Sequence, residues 1–213
     1  MDLTTLPSLL GKEDPVILDI GCNDGEHTLQ FLGLFSGAKI SCFEPEPRAA
    51  ARFLVNVRDL RANLFTMALG REDGEKTFYR SGGLPSGDWA GLMPQGWDLS
   101  GSLRNPSGHL VVHPWCTFNE QMLVHVARLD TWSQKHRVKF VDFIWADVQG
   151  AEEDLIIGGI ETLNRTRYFF TEYSNQELYE GQITLDAILK MLPEFTVVDV
   201  YPNDVLLRNV RLT

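Results

Sequence analysis

The loop Asp19-Ile20-Gly21-Cys22-Asn23-Asp24-Gly25 and the acid Glu44, 19 residues beyond its last glycine, have types and spacing that could do chemistry. Glycines let a loop turn tightly and let its backbone approach a ligand with no Cβ in the way. A carboxylate at the end of the next strand can accept both hydroxyls of a ribose. Together they point to a nucleoside. The spacing is G-x-x-x-G, not G-x-G-x-x-G, and no Lys-Ser or Lys-Thr pair follows, which excludes a P-loop. A pyrophosphate needs an uncluttered helix N-terminus. Asp24 and Glu26 stand at that point and would repel it, whereas a cationic ligand such as a sulfonium suits them.

A frame must bring these residues together. Residues 3–11 read as a short leading helix. Val16 to Ile20 is a short apolar run ending in the glycine loop, as expected of a buried strand. Residues 26–35 follow with Leu29, Leu32 and Phe35 at helical spacing. Ile40 to Phe43 is a second strand, closed by Glu44-Pro45-Glu46-Pro47, and residues 47–60 read as a helix with proline in its first turn. Leu64 to Leu69 is read as the third strand, and Lys76 to Tyr79 as extended. Periodicity disappears over 81–120, which is rich in glycine and proline. Val124 to Leu129 is expected to be a strand, and Val141 to Ala146 a fourth core strand ending at Asp147. A helix over 151–163, a fifth strand from Tyr168 to Thr171 ending at Glu172, and a helix around Leu185 to Leu192 follow. Phe195 to Val200 and Val205 to Leu207 flank the turn Tyr201-Pro202-Asn203-Asp204, so they must run antiparallel. This order predicts one α/β domain over residues 1–213: a Rossmann-like, doubly wound, mostly parallel sheet with a C-terminal antiparallel hairpin and an inserted lid at 81–120.

On these residues a resemblance rests. ILDIGCNDGEHT, CFEPEP, ALGREDGEKTFY, VARLDTW and, most specifically, VDFIWADVQGAEEDLIIGG resemble the FkbM family of S-adenosylmethionine-dependent methyltransferases, in the family's order from about residue 16 to residue 208. The resemblance implies a class I methyltransferase fold and O-methylation of a hydroxyl on a sugar, glycan or polyketide-like molecule. Carried over position by position, Asp19, Gly21, Asn23 and Gly25 match its cofactor loop. Glu44 matches its ribose-binding acid, with Pro45 beside it. Ala68 and Leu69 match the segment flanking adenine, and Asp147 and Gln149 the fourth-strand end near the reactive methyl.

A sugar hydroxyl is a poor nucleophile, so methyl transfer to it gains from a base. Asp147 is the first candidate, with a helix N-cap as its competing role. His109 and His113 are the next, since histidine titrates near neutrality; His27, His125 and His136 have less claim. Glu152 and Glu172 can join Asp147 in an acid cluster of the kind Mg²⁺ favours. Glu152 is better read as a first-turn helix acid, and no metal is expected. Glu172 is also a candidate for acceptor binding. The segment 81–120 contains Trp89, Trp97 and Trp115 and few charges, unlike a flexible linker. It is expected to close over the acceptor with these three tryptophans against a ring.

The wider composition narrows the function classes. The chain has 213 residues, 44% of them apolar, enough to bury a full core. Its net charge of −10 opposes the wrapping of nucleic acid and docking on anionic membranes. No apolar run reaches transmembrane length, and the N-terminus shows no signal-peptide pattern. Cys22, Cys42 and Cys116 form no CxxC pair, so free thiols in a cytoplasmic setting are expected. Two rival classes are a nicotinamide-dependent oxidoreductase and a non-catalytic nucleoside-binding module. The glycine spacing and the DVQGAE block count against the first. The candidate bases and lid count against the second.

Overall fold

The computed structural model describes residues 1–87, 90–91 and 96–212. Its main sheet has seven strands: β1 (Val16–Ile20), β2 (Lys39–Phe43), β3 (Ala62–Phe65), β7 (Val141–Ala146), β8 (Thr166–Glu172), β9 (Phe195–Val200) and β10 (Asp204–Asn209). Their spatial order is β3-β2-β1-β7-β8-β10-β9. β3 through β8 run parallel, and β10 is antiparallel to both β8 and β9. The parallel sheet and terminal hairpin expected from the sequence are both present.

The short apolar runs make central strands because both of their faces are covered. Ile17, Phe143, Trp145, Tyr168, Phe170 and Leu206 point into one core. Their neighbours Leu18, Ile144, Phe169, Val205 and Leu207 point into the other. The first core is closed by α1 (Leu6–Leu10), α2 (Glu26–Leu34) and α3 (Pro47–Asn56). The second is closed by α5 (Leu129–Lys135), α6 (Glu152–Leu163) and α7 (Leu185–Met191).

Three expectations are corrected. The run Leu64 to Leu69 is not one strand. The chain leaves the main sheet after Phe65, and Ala68–Leu69 form β4, which pairs with β6 in a second, three-stranded sheet. Val124 to Leu129 is the end of a longer strand, β6 (Cys116–Ala127), and Leu129 already begins α5. The inserted segment is shorter than 81–120, because β5 (Gly74–Gly83) pairs antiparallel with β6 as far as Gly83 opposite Cys116. Only residues 84–115 lie between those strands, and they include the single-turn α4 (His109–Val112). Among the described residues no helix is long and apolar enough to cross a membrane.

Candidate active site

The sheet's crossovers reverse between β1 and β7, where a crevice opens beyond the strands' carboxyl ends. The glycine loop lies in it, pinned by Gly21 and Cys22 N–H groups that both donate to the Phe43 carbonyl at the end of β2 (2.9 and 3.0 Å). Gly21 has φ +83°, and a Cβ there would strike the Asp147 carbonyl. Asp147 in turn donates its N–H to the Ile20 carbonyl at 2.9 Å. Close approach of two backbones is therefore what the glycine provides. Gly25 serves differently: at φ +90° it begins α2, and a Cβ would run into Phe53 and Val57.

A cavity of about 250 Å³ occupies this crevice. Every position carried over for the cofactor lines it, except Asp19 and Gly25. Asp19 lies beneath the loop, wholly buried, with Oδ2 accepting the Thr28 hydroxyl at 2.5 Å and Oδ1 without a hydrogen-bond partner. Glu44 is on the wall. Its Oε2 accepts the Asn23 N–H at 2.9 Å and its Oε1 the Glu46 N–H at 2.7 Å. Each carboxylate oxygen keeps a second lone pair for a ligand. Apolar Phe43, Met67, Leu69, Phe78, Leu99 and Leu103 supply a surface for a flat ring. The acidic wall residues are Asp24, Glu26, Glu44, Glu46, Asp98 and Asp147, with His27; among the described residues neither Lys nor Arg lines it.

Asp147 does not cap α6. The cap position is Ala151, and Glu152 reaches back to the Gly150 N–H at 3.1 Å. Asp147 Oδ1 instead accepts from Gln149 Nε2 at 2.5 Å, and the same nitrogen reaches Glu172 Oε2 at 3.2 Å. Glu172 does not line the cavity, so its expected contact with an acceptor is replaced by a place in the acid cluster behind Gln149. Burial, and then the nearby Asp147, pushes its carboxyl well above the usual range. Among the described residues no group of three or more His, Cys, Asp or Glu is arranged to hold a metal ion.

His109 and His113 stand away from the cavity wall. His109 is 5% exposed and packs beside His113, Phe118 and Tyr179, with ring centroids 4.9, 5.4 and 5.5 Å away. Burial lowers it to about 4, so it is a neutral packing group. The histidine on the wall is His27, whose ring lies 4.4 Å from that of Trp145. Its place in the first turn of α2 gave no signal in the sequence; proximity to Asp147 arises only from the parallel pairing of β1 with β7.

The segment expected to hold the acceptor packs otherwise. Trp97 is buried, donates from Nε1 to Ser100 Oγ at 2.7 Å and meets Trp115 edge-on at 5.0 Å. Neither ring lines the cavity; Trp89 lies outside the described residues. What the tryptophans seat is a strap over 98–104 that supplies Asp98, Leu99, Gly101 and Leu103 to the wall. Asp98 pairs with Arg52 at 2.7 Å, Ser102 and Tyr79 exchange backbone hydrogen bonds, and Arg104 binds Asp154 at 2.8 Å. Trp97→Ala should lower the melting temperature by roughly 10 °C, since removing a buried tryptophan costs about 3–5 kcal/mol. An unchanged melting temperature would show that the indole does not seat the strap.

Three buried acids share one electrostatic consequence. Burial raises Asp19 and Glu152 to about 7 and Glu44 to about 8. The folded chain thus keeps protons that the unfolded chain releases near 3.8 for Asp and 4.5 for Glu. Protons bound preferentially by the native state make stability fall as pH rises through that window. The ligand-free protein should melt at a higher temperature at pH 6 than at pH 8.5. A melting temperature that rises over this range contradicts the assignment.

Comparison with known proteins agrees with this geometry. Residues 19–198 match the family described as the methyltransferase FkbM domain. The chain is 50% identical over 210 residues to the 2-O-methyltransferase NoeI of Sinorhizobium fredii (strain NBRC 101917 / NGR234), covering 96% of this chain and 84% of that protein. Among solved structures it is similar in fold to the methyltransferase FkbM from Methylobacillus flagellatus KT, with a TM-score of 0.54, 12% identity and 92% of this chain covered. It spans 44% of that longer chain. The plantazolicin methyltransferase BpumL in complex with SAH gives a TM-score of 0.51 at 12% identity, covering 97% of this chain and 82% of that one.

Proposed function

Since the chain belongs to the FkbM methyltransferase family, we propose that it transfers the methyl group of S-adenosylmethionine to a hydroxyl of a sugar or glycan, with Asp147 as the base. The observation that carries this is the cavity wall, which joins Glu44, a ring-sized apolar surface and Asp147 in one crevice without a lysine or arginine. Such a wall fits a nucleoside with a cationic end and opposes a phosphate-rich ligand. Glu44 is the acceptor for ribose hydroxyls. Phe43, Met67, Leu69 and Phe78 are the surface for the purine.

When bound, the cofactor would supply an electrophilic methyl group on a positively charged sulfur, with a neutral thioether as the leaving group. The chain's residues do the rest. Asp147, held by Gln149, takes the proton of the acceptor hydroxyl at its carboxylate. The strap over 98–104 lines one side of the crevice, where its Leu99 and Leu103 would limit the access of water to the reacting atoms. Asp24 and Glu26 on the cavity wall favour neutral acceptors over anionic ones and count against nucleic acid. By likeness to the 2-O-methyltransferase NoeI, the acceptor position is a 2-hydroxyl. Free Cys22, Cys42 and Cys116, all buried, agree with a cytoplasmic setting.

Incubation with methyl-labelled S-adenosylmethionine and a panel of neutral oligosaccharides tests the reading. One labelled methyl ether on a sugar hydroxyl is the expected product. Labelling of RNA or of an amine with no labelling of any oligosaccharide would overturn it.

A further inference from the structure

Behind Asp147 stands a side chain that the reaction so far does not use. Tyr179, 2% exposed, comes from the segment between β8 and α7. Its ring packs on Gly150, which has φ +90° and where any Cβ would strike that ring. Its hydroxyl lies 2.9 Å from Gln149 Oε1 and 3.0 Å from the Ser100 carbonyl, and directs its one proton between them. The other end of the Gln149 amide faces Asp147 and Glu172. Gln149 itself has φ +51°, rare for a residue with a Cβ, and its carbonyl is held by Ser102 Oγ at 2.6 Å. A strained backbone clamped from several sides is a pattern of functional loops.

An amide has one donating and one accepting end, and which end faces a carboxyl decides the charge state it supports. An N–H aimed at Asp147 favours the carboxylate; a C=O aimed there favours the acid. Two acceptors at the near end, Asp147 and Glu172, call for the amino group, and a tyrosine proton given to the far end favours the same orientation. We infer that Tyr179 is a positioning residue for Asp147: by engaging the carbonyl end of the Gln149 amide, it turns the amino end to the acid pair and keeps Asp147 able to accept a proton.

The surroundings make that donor matter. Asp147 feels Asp19 from β1, Glu152 from α6, Glu172 from β8 and Asp204 from β10, four acids. Burial pushes Asp147 the same way, and opposed to both are the Gln149 amide and His27 from α2. Burial holds His27 below its ordinary value, so its positive charge is scarce at neutral pH.

The biological use of that proton rests on the proposed function, but the charge state of Asp147 does not. It is read by carbon-13 NMR titration of the ligand-free protein labelled at aspartate carboxyls, with Asp147→Asn identifying the signal. Tyr179→Phe keeps the ring on Gly150 and removes only the hydroxyl; it should raise the Asp147 midpoint by about one pH unit. Gln149→Ala should raise it at least as far. The double variant should go no further than Gln149→Ala, because the tyrosine acts through the glutamine. A purely structural tyrosine would leave the midpoint unmoved. An unchanged midpoint in Tyr179→Phe overturns the inference, and so does an unchanged midpoint in Gln149→Ala even where Tyr179→Phe fails to fold. Calorimetry of S-adenosylhomocysteine with the unsubstituted protein separates the two claims, since absent binding overturns the proposed function and leaves the midpoints standing.

Discussion

Asp147→Asn is expected to lower turnover by roughly a hundredfold or more while cofactor affinity stays within about a factor of three. The substitution keeps the size of the side chain and its capacity to hydrogen-bond, but removes basicity. It does not disturb the helix that follows, because the cap of α6 is Ala151 and the tie of Asp147 to β1 runs through its backbone N–H. Single-turnover transfer with a matched acceptor measures the first quantity and calorimetry the second. Near-normal turnover would exclude Asp147 as the base. A large loss of cofactor affinity would place it in cofactor binding instead.

Glu44→Ala should weaken S-adenosylmethionine binding at least tenfold, because a carboxylate accepting two hydroxyls makes charge-assisted bonds worth roughly 1.5–3 kcal/mol each. The variant also frees the N–H groups of Asn23 and Glu46. Its fold must therefore be checked by circular dichroism. The unsubstituted residue has a further signature. Burial raises Glu44 to about 8, whereas hydroxyl donors favour its ionised form. Binding should release a proton near neutral pH, and affinity should rise from pH 6 to pH 8. Calorimetry in buffers of different ionisation enthalpy reads the proton directly. Unchanged affinity in a folded Glu44→Ala variant would sink the assignment.

How far the sequence carried the fold depended on burial. β1, β7 and β8 are covered on both faces, so their apolar runs stood out and their ends were read nearly in place. β6 is half exposed over twelve residues, with Asn119, Glu120 and Gln121 on its surface, and only its buried end was legible. The third strand was misread because Leu64 to Leu69 is apolar but for Thr66, although the chain changes sheets at Met67, whose N–H turns back to the Phe65 carbonyl at 2.9 Å. α5 has seven residues, too few to display a period, and its Trp132 is buried against Phe43 and Phe65.

The site divides the same way. Gly21, Asn23, Glu44, Ala68, Leu69, Asp147 and Gln149 were legible because they sit at strand ends in recognisable blocks. His27, Tyr179 and the strap residues Leu99 and Leu103 carry no local pattern, and only tertiary packing delivers them. Trp97 and Trp115, expected against the acceptor, line no part of the cavity for a related reason. Aromatic content marks a segment that buries surface, but not whether it buries it against a ligand or, as for Trp97, against its own strap.

The central claim is that the crevice between β1 and β7 holds S-adenosylmethionine, and titration calorimetry of the unsubstituted protein tests it most directly. Against S-adenosylmethionine, one saturable site per chain is expected, with proton release near neutral pH; against NAD, no heat of binding. Saturable binding of NAD, or no binding of S-adenosylmethionine to the folded chain, would contradict the account.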